Sequence, residues 1–274
     1  MKKILLAFDR QKISDDMMQY ILHLNNAQPI AAIGMFLPTV EMVEVPYSFG
    51  GVPAGPLYVA ESEENNESLL NAEIRKFTDF CTANNIEYKV HNDFTHQVIA
   101  KIVDESRFAD LLVLDNAAFY ANLGAETQND YISELLHKLE CPCFMIPGVY
   151  EVPKNIIMAY DGSEQSIYAL KQFSYMFPEY SKTQVLLVYF NQSKEGVPHR
   201  EEMEELMSYH YFNVSIFKLK IDPAKDLDQW VRDNGASMFV AGAYSRSFFS
   251  ELFHKSFVNE IVKEHKIPVF VSHK

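Results

Sequence analysis

The sequence predicts an α/β protein built from two repeated, doubly wound domains, each a five-stranded parallel sheet with helices on both faces. Three observations carry this. First, the chain says the same thing twice: KKILLAFDR at 2–10 returns as KNIIMAYDG at 154–162, and ADLLVLD at 109–115 returns as ASMFVAG at 236–242. YISELLHKLECPCFMI at 131–146 likewise returns as FVNEIVKEHKIPVFVS at 257–272. Self-similarity in constant order marks two copies of one domain. Second, the strand candidates are apolar runs without alternation, as expected of strands covered on both faces. Third, strands alternate with helical patterns, which implies right-handed crossovers and a parallel sheet.

In the first copy, residues 4–8 form the opening strand and 13–26 a helix with Met17, Ile21 and Leu24 on one stripe. Residues 30–36 read as the second strand. The segment 37–60 holds four of the twelve prolines together with Gly50, Gly51 and Gly55, and reads as a loop insertion. A charged helix follows at 61–84, a short third strand at 87–90, a helix at 97–105 and a fourth strand at 111–114. A helix at 130–139 and a fifth strand at 143–146 complete the copy.

The second copy compresses the plan. Strands fall at 156–160, 185–190, 214–219, 238–241 and 269–272, and helices near 163–176, 200–209, 224–234 and 248–265. Gly235 stands where a C-terminal cap glycine belongs. The spacing between copies shrinks from 152 residues (Lys2 to Lys154) to 127 (Ala109 to Ala236), so the first copy carries 25 more, mainly in the loop and the helix after it. The turn-rich link at 147–153 divides a first domain, 1–148, from a second, 154–274.

With 274 residues, each half is large enough for its own core. A hydrophobic fraction of 48% and a charged fraction of 22% are those of a soluble globular chain. The net charge of −13 opposes sequence-independent binding to nucleic acid or to an anionic membrane. No apolar run reaches the roughly 18 residues of a membrane helix, and the run after Lys2-Lys3 is too short for a signal segment. Three cysteines make no disulfide framework; Cys141 and Cys143 read as small hydrophobes of a buried strand, and a reduced, cytoplasmic setting follows.

Other motifs dissolve on inspection. Gly50 to Gly55 contains Pro53 and lacks the lysine of a phosphate loop, so it reads as a flexible insertion. Tyr47, Phe49 and Tyr58 equip it to act as a lid or an association surface. His91 and His96 share no helix face and have no third ligand, so no metal site is expected. Nucleophile elbows are absent, and Cys81 has no evident base beside it.

In an open parallel sheet, ligands bind beyond the carboxyl ends of the strands where strand order reverses. The residues there are Asp9 and Asp115 in the first copy, and Asp161 and Gly242 to Ser247 in the second. The stretches IIMAYDGSEQS at 156–166, AGAYSRSFFSELFHKSFVNEIV at 241–262 and KIPVFVS at 266–272 resemble the universal stress protein family. The likeness runs through the whole chain at the level of pattern, more strongly in the second half. It implies the fold of the adenine nucleotide alpha hydrolase-like proteins. Family members that hold ATP carry Gly, two residues, Gly, nine residues, Gly, then Ser or Thr. Here Gly242, Ser245, Lys255 and Ser256 occupy those four places.

Two of the four depart from the pattern. Glycines let backbone amides approach phosphates, and a hydroxyl at a helix start adds a donor. Ser245 loses one such freedom, and Lys255 exchanges another for a cation. Arg246 and Ser247 can add contacts, and the resemblance gives Asp161 hydrogen bonds from the nucleotide and brings the base near Tyr189 and Phe190. In the first copy Asp115 stands at the glycine's place, where its charge would repel a phosphate. The resemblance thus implies a regulatory protein of the stress response, not an efficient enzyme, that binds ATP with magnesium in its C-terminal domain. It also implies an intramolecular pseudo-dimer joined through the last strands, with a homodimer as a further form. Two alternatives stay open: a structural or protein-interaction module without ligand, and a weak ATPase using Asp161 and His254.

Overall fold

In the computed structural model the described residues are 1–9, 12–37, 40–43, 57–60, 63–92, 98–115, 135–147, 151–190, 196–219, 230, 233, 238–242 and 267–272. The chain divides into two compact units, Met1–Glu140 and Cys141–Lys274.

In the first unit, β1 (Lys2–Asp9), β2 (Ile30–Leu37), β5 (Glu87–His91) and β6 (Leu111–Asp115) form a parallel array in the order β6-β1-β2-β5. Ile4 to Phe8 are buried without interruption, as are Leu111 to Asp115, so both faces are covered. Helix α1 (Asp15–Ala27) starts at Ser14, whose hydroxyl accepts from the Met17 amide at 3.1 Å, with Asp15 and Asp16 favouring the positive end of the helix. It buries Met17, Met18, Tyr20, Ile21 and Leu24.

Helix α2 (Glu63–Ala83) is tied to the entry of α1. Glu73 accepts from the Ile13 amide at 2.8 Å, and the Lys76 ammonium donates to the Ile13 carbonyl and to Asp15 at 3.0 and 2.9 Å. Beneath it, Phe77 meets Phe8, Phe36 and Tyr88 edge-on, a geometry that the ring quadrupoles favour. Helix α3 (Val98–Ser106) ends at a buried serine whose hydroxyl donates to the Val103 carbonyl and accepts from the Glu140 amide.

One feature differs from the sequence reading. The segment 37–60, read as a loop, contains a hairpin: β3 (Val40–Val43) pairs antiparallel with β4 (Leu57–Ala60), Val40 opposite Ala60. Four residues per strand are too few for periodicity to outweigh the surrounding prolines and glycines. The strand β7 (Cys143–Ile146) forms where the sequence reading placed it, and it pairs antiparallel with β12 (Val269–Ser272), Phe144 opposite Phe270.

The second unit otherwise follows the expected plan. Strands β8 (Asn155–Tyr160), β9 (Gln184–Phe190), β10 (Val214–Leu219), β11 (Phe239–Gly242) and β12 run parallel in the order β10-β9-β8-β11-β12. Numbered within each copy, the first unit reads 3-2-1-4 and the second 3-2-1-4-5. Helix α4 (Glu164–Met176), capped by Ser163, packs on β11 and β12, and α5 (Arg200–His210) packs on β10. The helix expected at 248–265 lies outside the described residues; of that at 224–234 only 230 and 233 are described, both helical, and of that at 130–139 only 135–139, with 135–138 helical.

Candidate functional site

Strand order reverses between β8 and β11 in the second unit, and the cleft beyond their carboxyl ends is where a ligand is expected. Register aligns the corresponding residues. Phe239 lies beside Ile157 and Val240 beside Met158, so Gly242 falls level with Tyr160. In the first unit Leu112 lies beside Leu5 and Leu114 beside Ala7, so Asp115 falls level with Phe8. Asp115 therefore holds in the first copy the place that Gly242 holds in the second, and it is only 3% exposed.

Asp161 directly follows β8 with its carboxylate turned back onto the chain, accepting from the Ser163 amide at 2.9 Å. The Ser163 hydroxyl in turn accepts from the Ser166 amide at 3.1 Å. These are the turn and cap that launch α4, satisfying donors that a helix start leaves open. Gly162 between them has φ +84, a conformation that side chains disfavour, and Pro198 covers it: a Cβ built there would lie 3.2 Å from the proline ring. Gly242 is required by close approach. A Cβ on it would meet the carbonyl carbon and oxygen of Gln165 at 2.8 Å and the Ser166 amide nitrogen at 2.9 Å. The strand end and the first turn of α4 thus touch backbone to backbone.

Tyr160 is buried and donates its hydroxyl to the Pro198 carbonyl at 3.0 Å, fixing the loop before α5 over the turn. Burial first, and then the charge of Asp161, holds its phenol above the ordinary range, so it stays a donor at neutral pH. Tyr160→Phe, which copies Phe8 of the first half, strands that carbonyl; we expect a loss of about 1 kcal/mol in urea unfolding. Tyr189, expected near a base, is itself buried, with its ring 6.1 Å from Tyr160 and the Lys218 ammonium 6.0 Å from its centroid.

Of the residues the motif singles out, Asp161 and Gly242 lie at the two strand ends that flank the switch point. Ser245, Arg246, Ser247, Lys255 and Ser256 lie outside the described residues, as do the Phe190 side chain and His254. Among the described residues no group of three or more His, Cys, Asp or Glu side chains is arranged to hold a metal ion. No helix among them is long and apolar enough to cross a membrane. The three cysteines are free and buried, and burial pushes the Cys81 thiol up to about 12, far from thiolate chemistry. Motif reading passed over Tyr160, Pro198 and Ser272. The signal available for two of them was the exchange of Phe8 for Tyr160 and of Ile146 for Ser272 between the copies.

The sequence matches no protein-family model and no curated protein. Solved structures do match. A universal stress protein from Archaeoglobus fulgidus DSM 4304 superposes with a TM-score of 0.66 at 12% identity, covering 100% of this chain and 96% of that one. A functionally unknown protein from Pseudomonas aeruginosa PAO1 gives 0.55 at 12% identity, with 99% and 92% covered. The cytoplasmic domain of a prokaryotic cation chloride cotransporter gives 0.53 at 9% identity, with 98% and 94% covered. Identities this low speak to fold, and a transporter domain among the matches means that fold alone assigns no ligand. Over its entire length this chain has the α/β fold of a universal stress protein.

Proposed function

We propose that the chain is a tandem universal stress protein, with copies at 1–148 and 154–274, acting as a cytoplasmic, non-catalytic regulator in the stress response. Its C-terminal copy binds an adenine nucleotide, ATP with magnesium, through Asp161, Gly242, Ser245, Arg246, Ser247, Lys255 and Ser256. The observation that carries this reading is the contrast at one matched position: a side-chain-free Gly242 at the switch point of the second copy, a buried carboxylate, Asp115, in the first. The first copy is then a degenerate partner that does not bind.

Titration calorimetry with MgATP tests the site. Asp161→Asn keeps an oxygen for the Ser163 amide but loses the charge and an acceptor, so we expect a native melting temperature and ATP affinity lowered about tenfold. Asp161→Ala should lose both the turn bond and the binding. Unchanged affinity in Asp161→Asn would remove Asp161 from the site.

One observation favours a second reading, a structural or protein-interaction module without ligand. Asp161 and Gly242 both have local duties, one capping a turn and the other admitting a helix. Absence of any melting shift with millimolar MgATP would select it. Phosphate release above background with magnesium would instead favour a weak ATPase.

A further inference from the structure

Ser272 closes β12 in register with Gly242, the last pair of the β11–β12 ladder. It is 2% exposed, and its hydroxyl has no hydrogen-bond partner among the described residues. Buried hydroxyls are ordinarily paired, because stranding one forfeits its bonds to water. In the first copy Ile146 stands at the same place, also buried, in an otherwise matching strand end: Cys143-Phe-Met-Ile146 against Val269-Phe-Val-Ser272. The strand therefore needs no hydroxyl here to be a strand. The second copy has exchanged an apolar side chain for a polar one beside the position where it also lacks the carboxylate of Asp115.

Adjacent residues in register on parallel strands project to the same face, about 4.8 Å apart. The missing Cβ of Gly242 points at the Gln165–Ser166 backbone, so Ser272 projects on the face covered by the first turn of α4. That turn has spent two amides: Ser163 on Asp161 and Ser166 on the Ser163 hydroxyl. The amides of Glu164 and Gln165 find no carbonyl within the helix, as at any helix start. A hydroxyl donor beside a helix N-terminus suits an oxygen that carries negative charge. Asp161 and Glu164 set limits on it: the first is committed to its turn, and the second is exposed and screened by solvent.

We propose that Ser272 is a further ligand-binding residue of the second copy, its hydroxyl donating to a phosphate oxygen at the carboxyl ends of β11 and β12. This rests on the nucleotide reading above and adds to it a residue from the last strand. The experiment compares the full-length chain with Ser272→Ala and Ser272→Val, titrating each with MgATP and separately with inorganic phosphate. Both variants should fold, since Ile146 shows that the strand accepts an apolar residue here. We expect affinity to fall about tenfold or more in both. Equal affinity in wild type and variants for a ligand that does bind overturns the role of Ser272 and leaves the nucleotide reading standing. Hydroxyl-dependent binding of phosphate without binding of MgATP supports Ser272 and removes the nucleotide. A wild-type chain that binds neither, or a crystal soaked in phosphate that shows only a water on the hydroxyl, overturns the proposal.

Discussion

Gly242→Asp should destabilise the second unit by about 3 kcal/mol or more in urea unfolding, before any question of ligand arises. The reason is geometric: the first atom of any side chain would enter the space of the Gln165 carbonyl, 2.8 Å away, and backbone on both sides has little room to yield. Overpacking of this kind costs about 1–3 kcal/mol, and a carboxylate buried without a partner adds several more. Gly242→Ala isolates the first part and should fall in that lower range. A substitution that simply copies Asp115 is therefore a poor probe of binding, since lost affinity and lost fold would coincide. Equal unfolding midpoints for wild type and Gly242→Asp would mean that the close approach of β11 and α4 does not exist.

Phe270→Ala should cost about 3–5 kcal/mol, the range for emptying a large aromatic from a core. Phe270 is 0% exposed, and its ring packs against Phe144, Phe173 and Phe177 with centroids 6.4, 5.2 and 5.9 Å away. Phe144 is its cross-strand partner in the antiparallel pair, so the two aromatics bind β7 to β12 by more than the backbone ladder. The double variant with Phe144→Ala should cost less than the sum of the singles, because both remove one shared contact. Additive costs would indicate that the rings do not depend on each other.

Most of the fold was legible because its signals are local and repeated. Continuous apolar runs such as Ile4 to Phe8 and Val185 to Tyr189 can be little other than doubly covered strands, and the second statement of each segment fixed the register between copies. The hairpin of β3 and β4 was not legible, since four-residue strands leave no period to detect. β7 was legible as a strand, but its pairing with β12 only through the resemblance, because which neighbour a strand takes is a non-local property that no local pattern carries. For the site, sequence could find Gly242 as the retained first glycine of the motif. It could not find that the glycine is needed by the backbone of Gln165, a contact between residues 77 positions apart in the chain. Ser272 was hidden for another reason: a serine in a strand is unremarkable until its burial and lack of partner are known.

The membership of β7 has a practical consequence for anyone dividing the chain. A fragment begun at Lys154, where the repeat starts, would leave one flank of Val269–Ser272 as a bare ladder of amides and carbonyls, with Phe270 stripped of an aromatic neighbour. Such an edge recruits other chains. A fragment begun at Cys141 would keep β7 on that flank and Phe144 against Phe270, so thirteen residues that look like the tail of one half carry packing that the other uses.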